Sequence, residues 1–466
     1  MTATAVPAKS GFKKALRGLD MTLFTVCAIL VIDTLAPSAA IGPSSVSWWV
    51  ITFVVFFVPY GLITAELGTT YPDQGGLYVW VKRAFGEKWA GRTTWLYWVN
   101  VALWMPSVYV LFAGIFSQLF FPEMGLWVKI LIGVVMTWIT VWIGIITLDA
   151  GKWVPNIGAA LKALIMVVIG GGAIVLALRN GVANDLSFAN LLPKWDAGLA
   201  FLPVIVYNFM GFELMSGAGA EMEDPKRDIP RAILISGALI AVFYLLGTVG
   251  MLLALPAEQL GLVSGIIDTL RAIFGESGVA TVAVTGLGIA ALYTLLANMV
   301  TWTMGANRTA AEAAGEGELP AYFGKMHPVN KTPVGSYVLT GLISTVVLIA
   351  YGFMAQTDEE LFWTLFAFSS IVFLLPYLAL FPAFLKLRKT DANLERPYRF
   401  PGGPVLAWIA AVVCEVFIIQ AVVFFIWVPG QPIDWASAGP ILIGVVLTLI
   451  IGEALLWVSG RKKQQG

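Results

Sequence analysis

The chain has 466 residues, 59% of them hydrophobic and 12% charged, with a mean hydropathy of +0.84 and a formal net charge of zero. Soluble domains carry roughly 45–50% apolar and about 25% charged residues, so no soluble fold can hide this apolar surface and lipid must be the solvent. Nucleic-acid binding has no support, because basic residues occur only in short loop clusters. Cys27 and Cys414 both fall in apolar stretches, which argues against a disulfide framework or a thiolate metal site. The single histidine, His327, lies in a loop without a His or Cys neighbour and reads as a surface residue. No zinc-ligand set, nucleophile motif or cofactor-binding glycine turn is present, so neither an enzyme nor a cofactor is expected.

About 20 apolar residues cross a hydrocarbon core of about 30 Å. The sequence predicts twelve such spans, at 20–41, 46–69, 94–120, 126–148, 153–178, 198–219, 231–255, 279–304, 334–354, 361–386, 405–428 and 436–459. Each must be helical, because hydrocarbon leaves no partner for a free backbone group. Lys9, Lys13, Lys14 and Arg17 precede the first run as in a signal peptide, but that run is long enough to span and no clean cleavage pattern follows. It is expected to be a retained span behind a tail of residues 1–19. The stretches 179–197 and 256–277 are long enough for short helices at the outer surface, and 306–316 suggests a separate short helix at the inner face.

Orientation follows from the lysines and arginines. With the N-terminus in the cytoplasm, 23 of the 28 fall on the inner side and only Lys129, Arg179, Lys194 and Arg271 on the outer side, Lys162 being inside a span. Both termini are therefore expected in the cytoplasm.

Polar or helix-breaking residues at mid-membrane depth are the informative ones. The first span contains Val31-Ile32-Asp33-Thr34-Leu35-Ala36-Pro37-Ser38, where Pro37 disfavours a helix through Asp33 and Thr34. A carboxylate there costs about 2.5–3.5 kcal/mol even on a lenient insertion scale, so a partner must face it. The sixth span contains Tyr207-Asn208-Phe209-Met210-Gly211-Phe212-Glu213, with Gly211 as the break point, and leads through small residues Ser216 to Ala220 into Glu221. Spans one and six hold matching positions if spans 1–5 and 6–10 are two copies of one unit. Five is odd, so the second copy would be inverted, which is the transporter design in which broken helices meet at the midplane to bind substrate. The expected organisation is an all-α membrane protein with a 5+5 inverted-repeat core. A first repeat at 20–178 and a second at 198–386 would be followed by two added spans at 405–459 and a tail at 460–466.

Four loop stretches resemble the amino acid–polyamine–organocation (APC) transporters. They are AELGTTYPDQGGLYVWVKRAFG from Ala65, EMEDPKRDIPRAI from Glu221, NRTAAEAAGEGELPAYFGKMHPVNKTPV from Asn307, and RPYRFPGG from Arg396. The stretch GPSSVSWWVITFVVFFVPYGLITAEL and the FMGFE of span six are most similar to the glutamate/GABA antiporter branch. The resemblance implies an alternating-access carrier with a central site between broken spans one and six. Typical amino acid carriers of this superfamily have a glycine-rich break in span one whose N–H groups hold the substrate carboxylate. Here the place reads Ile32-Asp33-Thr34, and an aspartate attracts an ammonium instead. In monoamine transporters of the same general fold an aspartate in this span serves the substrate amine.

The resemblance assigns Ile32, Asp33 and Thr34, together with Tyr207, Asn208, Phe209, Met210 and Gly211, to the substrate site. Asp33 either holds a substrate amine or is a structural carboxylate capping broken-helix N–H groups. Thr34 either contributes its hydroxyl or bonds its own helix, and the aromatic and methionine side chains either line the site or simply pack. Tyr109, Trp302, Tyr293 and Asn298 are further candidates from spans three and eight. Lys162 either snorkels to the surface or points between spans one and eight. In sodium-independent APC carriers a lysine at the matching position replaces a sodium ion, which implies coupling without sodium. Glu213 is either a proton carrier or a structural hydrogen-bonding group, while Glu66 and Glu221 fall near the inner boundary, where they would maintain gate and loop structure. The expected function is exchange or proton-driven transport of an amino acid or a decarboxylated amine such as putrescine. The alternatives are an ordinary amino acid antiporter with Asp33 structural, and a channel or non-transporting sensor on a transporter scaffold. Expected partners are the small-molecule substrate, the bilayer and, for a proton-driven carrier, protons. Oligomeric state is open, since Gly170 to Gly172 suit packing within or between subunits.

Overall fold

The computed structural model describes residues 22, 25–26, 28–71, 76–146, 153–213 and 225–465. The expectations for the tail 1–19, Cys27, Ser216 to Ala220 and Glu221 fall outside the described residues. The described residues form helices and short helical turns, with no β-strand among them. The elements are α1 (Leu35–Ala40), α2 (Ser45–Thr70), α3 (Leu77–Phe85), α4 (Glu87–Phe120), α5 (Leu126–Ile146), α6 (Trp153–Asn180), α7 (Leu202–Tyr207), α8 (Pro225–Ala254), α9 (Gly265–Phe274), α10 (Val279–Gly315), α11 (Val334–Gly352), α12 (Asp358–Leu374), α13 (Tyr377–Thr390), α14 (Gly403–Phe424) and α15 (Trp435–Gln465). Among the described residues ten helical segments are long and apolar enough to cross a membrane: α2, α4, α5, α6, α8, α10, α11, α12 with α13, α14 and α15.

Three boundaries differ from expectation. Helix α4 starts at Glu87 rather than 94 and runs for 34 residues through Pro106. The separate inner helix expected at 306–316 does not exist, because α10 continues without interruption to Gly315. The Ala/Glu-rich run is a good helix former, so nothing stops the span before that point. The stretch 361–386 is two helices, not one. Pro376 cannot donate a backbone hydrogen bond, and Leu378 N–H turns back to Leu375 O while Ala379 N–H turns back to Pro376 O.

Burial sorts the helices into pillars and rim. The most apolar stretch of α4 is 89% buried and that of α12–α13 is 83% buried, against 33% for α14 and 28% for α15. The central pillar α4 packs on α5, α10, α11 and α12. A six-residue π-helical segment, Thr52–Phe57, interrupts α2 and presents Phe56 and Phe57 inward. Such insertions locally widen the helix and tend to mark functional regions.

One buried ionic cluster ties the end of α2 to the segment before α14. Glu66, fully buried, accepts from Arg396 Nη1 at 3.1 Å and the Phe400 backbone N–H at 2.7 Å, and forms an ion pair with Arg388 Nε at 3.0 Å. Its carboxylate is thus matched by two guanidinium groups, one of them almost wholly buried. Removing one partner of such a cluster leaves uncompensated charge, a loss of about 3–5 kcal/mol. Glu66→Gln is therefore expected to lower thermal stability in detergent by about that amount, read from size-exclusion profiles after heating.

Candidate functional site

The first apolar stretch opens where its sequence carries Ile32, Asp33 and Thr34. Residues 28–29 are helical, residues 30–34 are not, and α1 resumes at Leu35. The interruption strands backbone groups at mid-span, and Tyr244 of α8 collects them. Its hydroxyl accepts from the Val31 N–H at 2.9 Å, donates to the Ile29 carbonyl at 3.2 Å and lies 3.4 Å from Thr34 Oγ1. Trp49 of α2 stacks on the Tyr244 ring and meets Phe209 edge-on, so one aromatic pair touches both breaks. Trp302 of α10 donates from its indole to the Ala28 carbonyl at 3.1 Å, which serves the end of the first half-helix.

The second interruption follows α7. Asn208 to Glu213 are non-helical, and Gly211 takes φ of +101°, a left-handed conformation that glycine adopts without strain. The second break reaches the half-helix that follows the first: Asn208 Nδ2 donates to Ser38 Oγ of α1 at 3.4 Å.

A cavity of about 20 Å³ lies between these breaks. Trp104, Tyr207, Trp302 and Phe373 give it an aromatic wall, and Asn100, Asn208 and Met210 also line it. That volume holds about one water molecule. Trp104 joins the cavity to Asp33: its indole N–H donates to Asp33 Oδ2 at 3.0 Å. Asp33 is 2% exposed, and its Oδ1 has no hydrogen-bond partner. A buried polar oxygen left unmatched costs about 1–3 kcal/mol, and Asp33 stands behind Trp104 rather than among the residues that line the cavity. The Oδ1 atoms of Asn100 and Asn208 are buried and unmatched as well.

Glu213 closes the second break. Three phenols from three helices donate to it: Tyr60 of α2 at 2.7 Å, Tyr97 of α4 at 2.8 Å and Tyr377 of α13 at 2.6 Å. Lys162 of α6 is buried rather than snorkelling; its ammonium donates to Asn298 Oδ1 of α10 at 2.8 Å and lies in the electrostatic field of Asp33.

The structure thus gathers Tyr207, Asn208, Met210 and Trp302 at one cavity, with Asp33 joined to it through Trp104. Ile32 is buried beside Asp33, and Thr34 bonds locally. Gly211 lies within 4 Å of Ile29 and Trp302 measured from the position of an added Cβ. Phe209 packs instead against Trp49, Phe53 and Phe57. Tyr109 is not brought to the cavity: its hydroxyl pairs with Thr140 of α5. Tyr293 likewise bonds the Val154 carbonyl of α6. Residues the sequence reading passed over are Asn100, Trp104 and Phe373 at the cavity, Tyr244 at the first break, and Tyr60, Tyr97 and Tyr377 around Glu213. Asn100 alone carried a signal, an amide in the middle of an apolar helix.

Two interrupted helices meeting at buried, unmatched polar groups inside a bundle of membrane-crossing helices define a multi-pass membrane transporter. The comparisons agree. Residues 16–451 match the family model described as amino acid permease. The chain is 34% identical over 93% of its length, and 93% of the relative's, to a protein of Lactococcus lactis named probable agmatine/putrescine antiporter AguD. It is 28% identical, over 90% of its own length and 91% of the relative's, to an uncharacterized transporter of Legionella pneumophila. Identity to the inner membrane transporter YjeM of Escherichia coli is 24%, over 95% of both chains. The chain belongs to the amino acid permease family, within the APC superfamily, and is a transporter rather than an enzyme.

Tyr244→Phe keeps the stack with Trp49 but removes the hydroxyl that serves Val31 and Ile29. A loss of about 1–3 kcal/mol is expected for the groups left unmatched, measured as a lowered unfolding temperature. An unchanged temperature would mean that the break finds its hydrogen bonds elsewhere.

Proposed function

We propose that this transporter exchanges cationic amines across the cytoplasmic membrane by alternating access, without sodium, and that Asp33 holds the substrate ammonium. The observation that carries the reading is the unmatched Oδ1 of a buried aspartate at the break of the first span. An ammonium is the complement of a carboxylate that has one oxygen satisfied and one free. The aromatic wall suits a cation too, since ring faces attract positive charge. The name of the Lactococcus relative points to the same substrate class.

The architecture that goes with this reading is twelve spans, with repeats at 20–178 and 198–386, peripheral spans at 405–459, and both tails, 1–19 and 460–466, in the cytoplasm. The Asn208–Ser38 bond from the second break to the half-helix after the first supports it. Ile32, Thr34, Phe209 and Gly211 supply backbone at the breaks, while Tyr207, Asn208, Met210 and Trp302 surround the substrate. Tyr109 keeps only the role of supporting α4 against α5. Trp104 then acts as the inner wall of the closed site, and its displacement from Asp33 admits the substrate. Lys162 stands where a sodium ion would otherwise brace the first span, and Glu213 couples the second break to α2, α4 and α13 through its three tyrosines.

Exchange follows from charge. Reorienting the empty carrier moves a buried carboxylate whose second oxygen is unmatched, whereas an ammonium at that oxygen removes the penalty. Loaded carrier therefore turns over faster than empty carrier, in either direction.

The reading is tested by thermal shift of purified protein with amino acids and their decarboxylated amines side by side. Binding to the folded state alone adds about 2.7 kcal/mol at a hundredfold excess over Kd. Stabilisation by amines, lost in Asp33→Asn, is expected. A second reading, an amino acid exchanger with a structural Asp33, is favoured by the Trp104 bond that the carboxylate already makes. Stabilisation by amino acids that is indifferent to Asp33→Asn would establish it and sink the first.

A further inference from the structure

We propose that a phosphatidylethanolamine molecule is seated between α4, α13 and α15, with an acyl chain in an apolar cavity and its headgroup in an adjoining polar one. Neither cavity shares a lining residue with the central one, so the proposal is independent of the substrate assigned there.

A cavity of about 540 Å³ lies between the start of α4, the joint of α12 with α13, and α15. That is within the range of about 300–1,000 Å³ usual for small-molecule sites. Phe85, Trp95, Leu96, Leu378, Pro382 and Leu449 give it apolar walls, and Arg92 and Glu453 are its charged lining residues. A second cavity of about 270 Å³ shares Arg92, Glu453 and Leu456 with the first, so the two adjoin. Here the lining is polar, with Glu87, Lys88 and Glu318 beside the Arg92–Glu453 pair. Both helices change character at the same step. On α4 the lining passes from Glu87 and Lys88 to Trp95 and Leu96, and on α15 from Gly460 and Trp457 back to Leu449. Trp89 and Trp457, both exposed, flank the change, as tryptophans do where hydrocarbon meets headgroups. An apolar cavity that adjoins a charged one at that depth fits an amphiphile.

Charge selects the head. The polar cavity offers Lys88 and Arg92 to a phosphate and carboxylates to an ammonium. Glu453 is already paired, since Arg92 Nη2 donates to it at 3.0 Å. Glu318 is different. It is 8% exposed, its Oε1 accepts from Lys82 at 3.0 Å and from Tyr78, and its Oε2 is buried without a partner. An acceptor left in that state calls for a donor. Ethanolamine brings an ammonium with N–H donors beside its phosphate. Choline carries the same charge behind methyl groups, and a glycerol head has no charge to set against the carboxylates. The place of the chain has a consequence as well. Leu375 and Pro376, at the joint of α12 with α13, line the apolar cavity, and the next residue, Tyr377, donates to Glu213 at the second break. A seated acyl chain therefore braces that joint from the side of the membrane.

The test uses the full-length protein, delipidated in detergent and titrated with palmitoyl-oleoyl phosphatidylethanolamine, phosphatidylcholine or phosphatidylglycerol, with bound lipid counted by native mass spectrometry. The ethanolamine lipid is expected to bind at least about tenfold more tightly than the other two, the scale of one hydrogen bond to a charged group. Glu318→Gln should bring it down to the level of the choline lipid and leave choline binding unchanged. Ala379→Phe, which fills the apolar cavity, should weaken all three. Soluble phosphoethanolamine, a head without a chain, should not compete. Equal binding of the three lipids, preference for the glycerol lipid, or an ethanolamine preference untouched by Glu318→Gln would overturn the proposal. So would binding that survives Ala379→Phe, or displacement by phosphoethanolamine. Each variant is first checked for a monodisperse elution profile, and the wild-type series with Ala379→Phe decides the matter where Glu318→Gln does not fold.

Discussion

A backbone group without a partner cannot be left in hydrocarbon, and this protein interrupts two helices there. Everything that positions the site follows from meeting that demand. At the first break the solution is a phenol, Tyr244, which both accepts and donates and so serves an N–H and a carbonyl from one atom. At the second, the Asn208 N–H returns to the Val204 carbonyl and the Met210 N–H to the Tyr207 carbonyl, while the Glu213 carboxylate fastens the break to three helices through three phenols. Because these partners lie on α2, α4, α8 and α13, each break is fastened to helices that are otherwise continuous, and the two loose ends are held in register with one another.

The same arithmetic of matched and unmatched groups separates structure from function. Polar atoms fully satisfied by the protein, such as those of Glu213 and Glu66, fasten elements together. Among those left over, Asn100 and Asn208 line one small cavity with aromatic walls, and Asp33 stands behind its Trp104. Other unmatched buried atoms lie elsewhere, on Gln118, Glu318 and Glu415 as well as on Thr137 and Ser370, and what marks the central set is that two amides share one cavity at the junction of two interrupted helices.

The helical membrane class, most span positions and both breaks were legible in the sequence, because a carboxylate, a proline or a glycine inside an apolar run is conspicuous against hydrocarbon. The tyrosines around Glu213 were not, since a tyrosine in a span looks the same whether it packs or donates. Tyr109 was misplaced for a related reason: a span that is apolar on every side has no amphipathic stripe, so nothing local says which face meets the centre. The run-on of α10 through 306–316 was hidden because a loop signature and a helix former share that segment. Asn100 was visible as an amide at depth, but its weight came only from its neighbours.

The pairing of Glu66 with Arg396 spans 330 residues of chain. At synthesis rates of about 5–20 residues per second, a ribosome needs roughly a quarter of a minute to a minute to deliver the arginine after the glutamate has been made. Throughout that interval the end of the second span carries a carboxylate with neither guanidinium in place. The early helices therefore wait in the membrane without this ion pair until the last fifth of the chain arrives. Assembly of this bundle is completed from its C-terminal side.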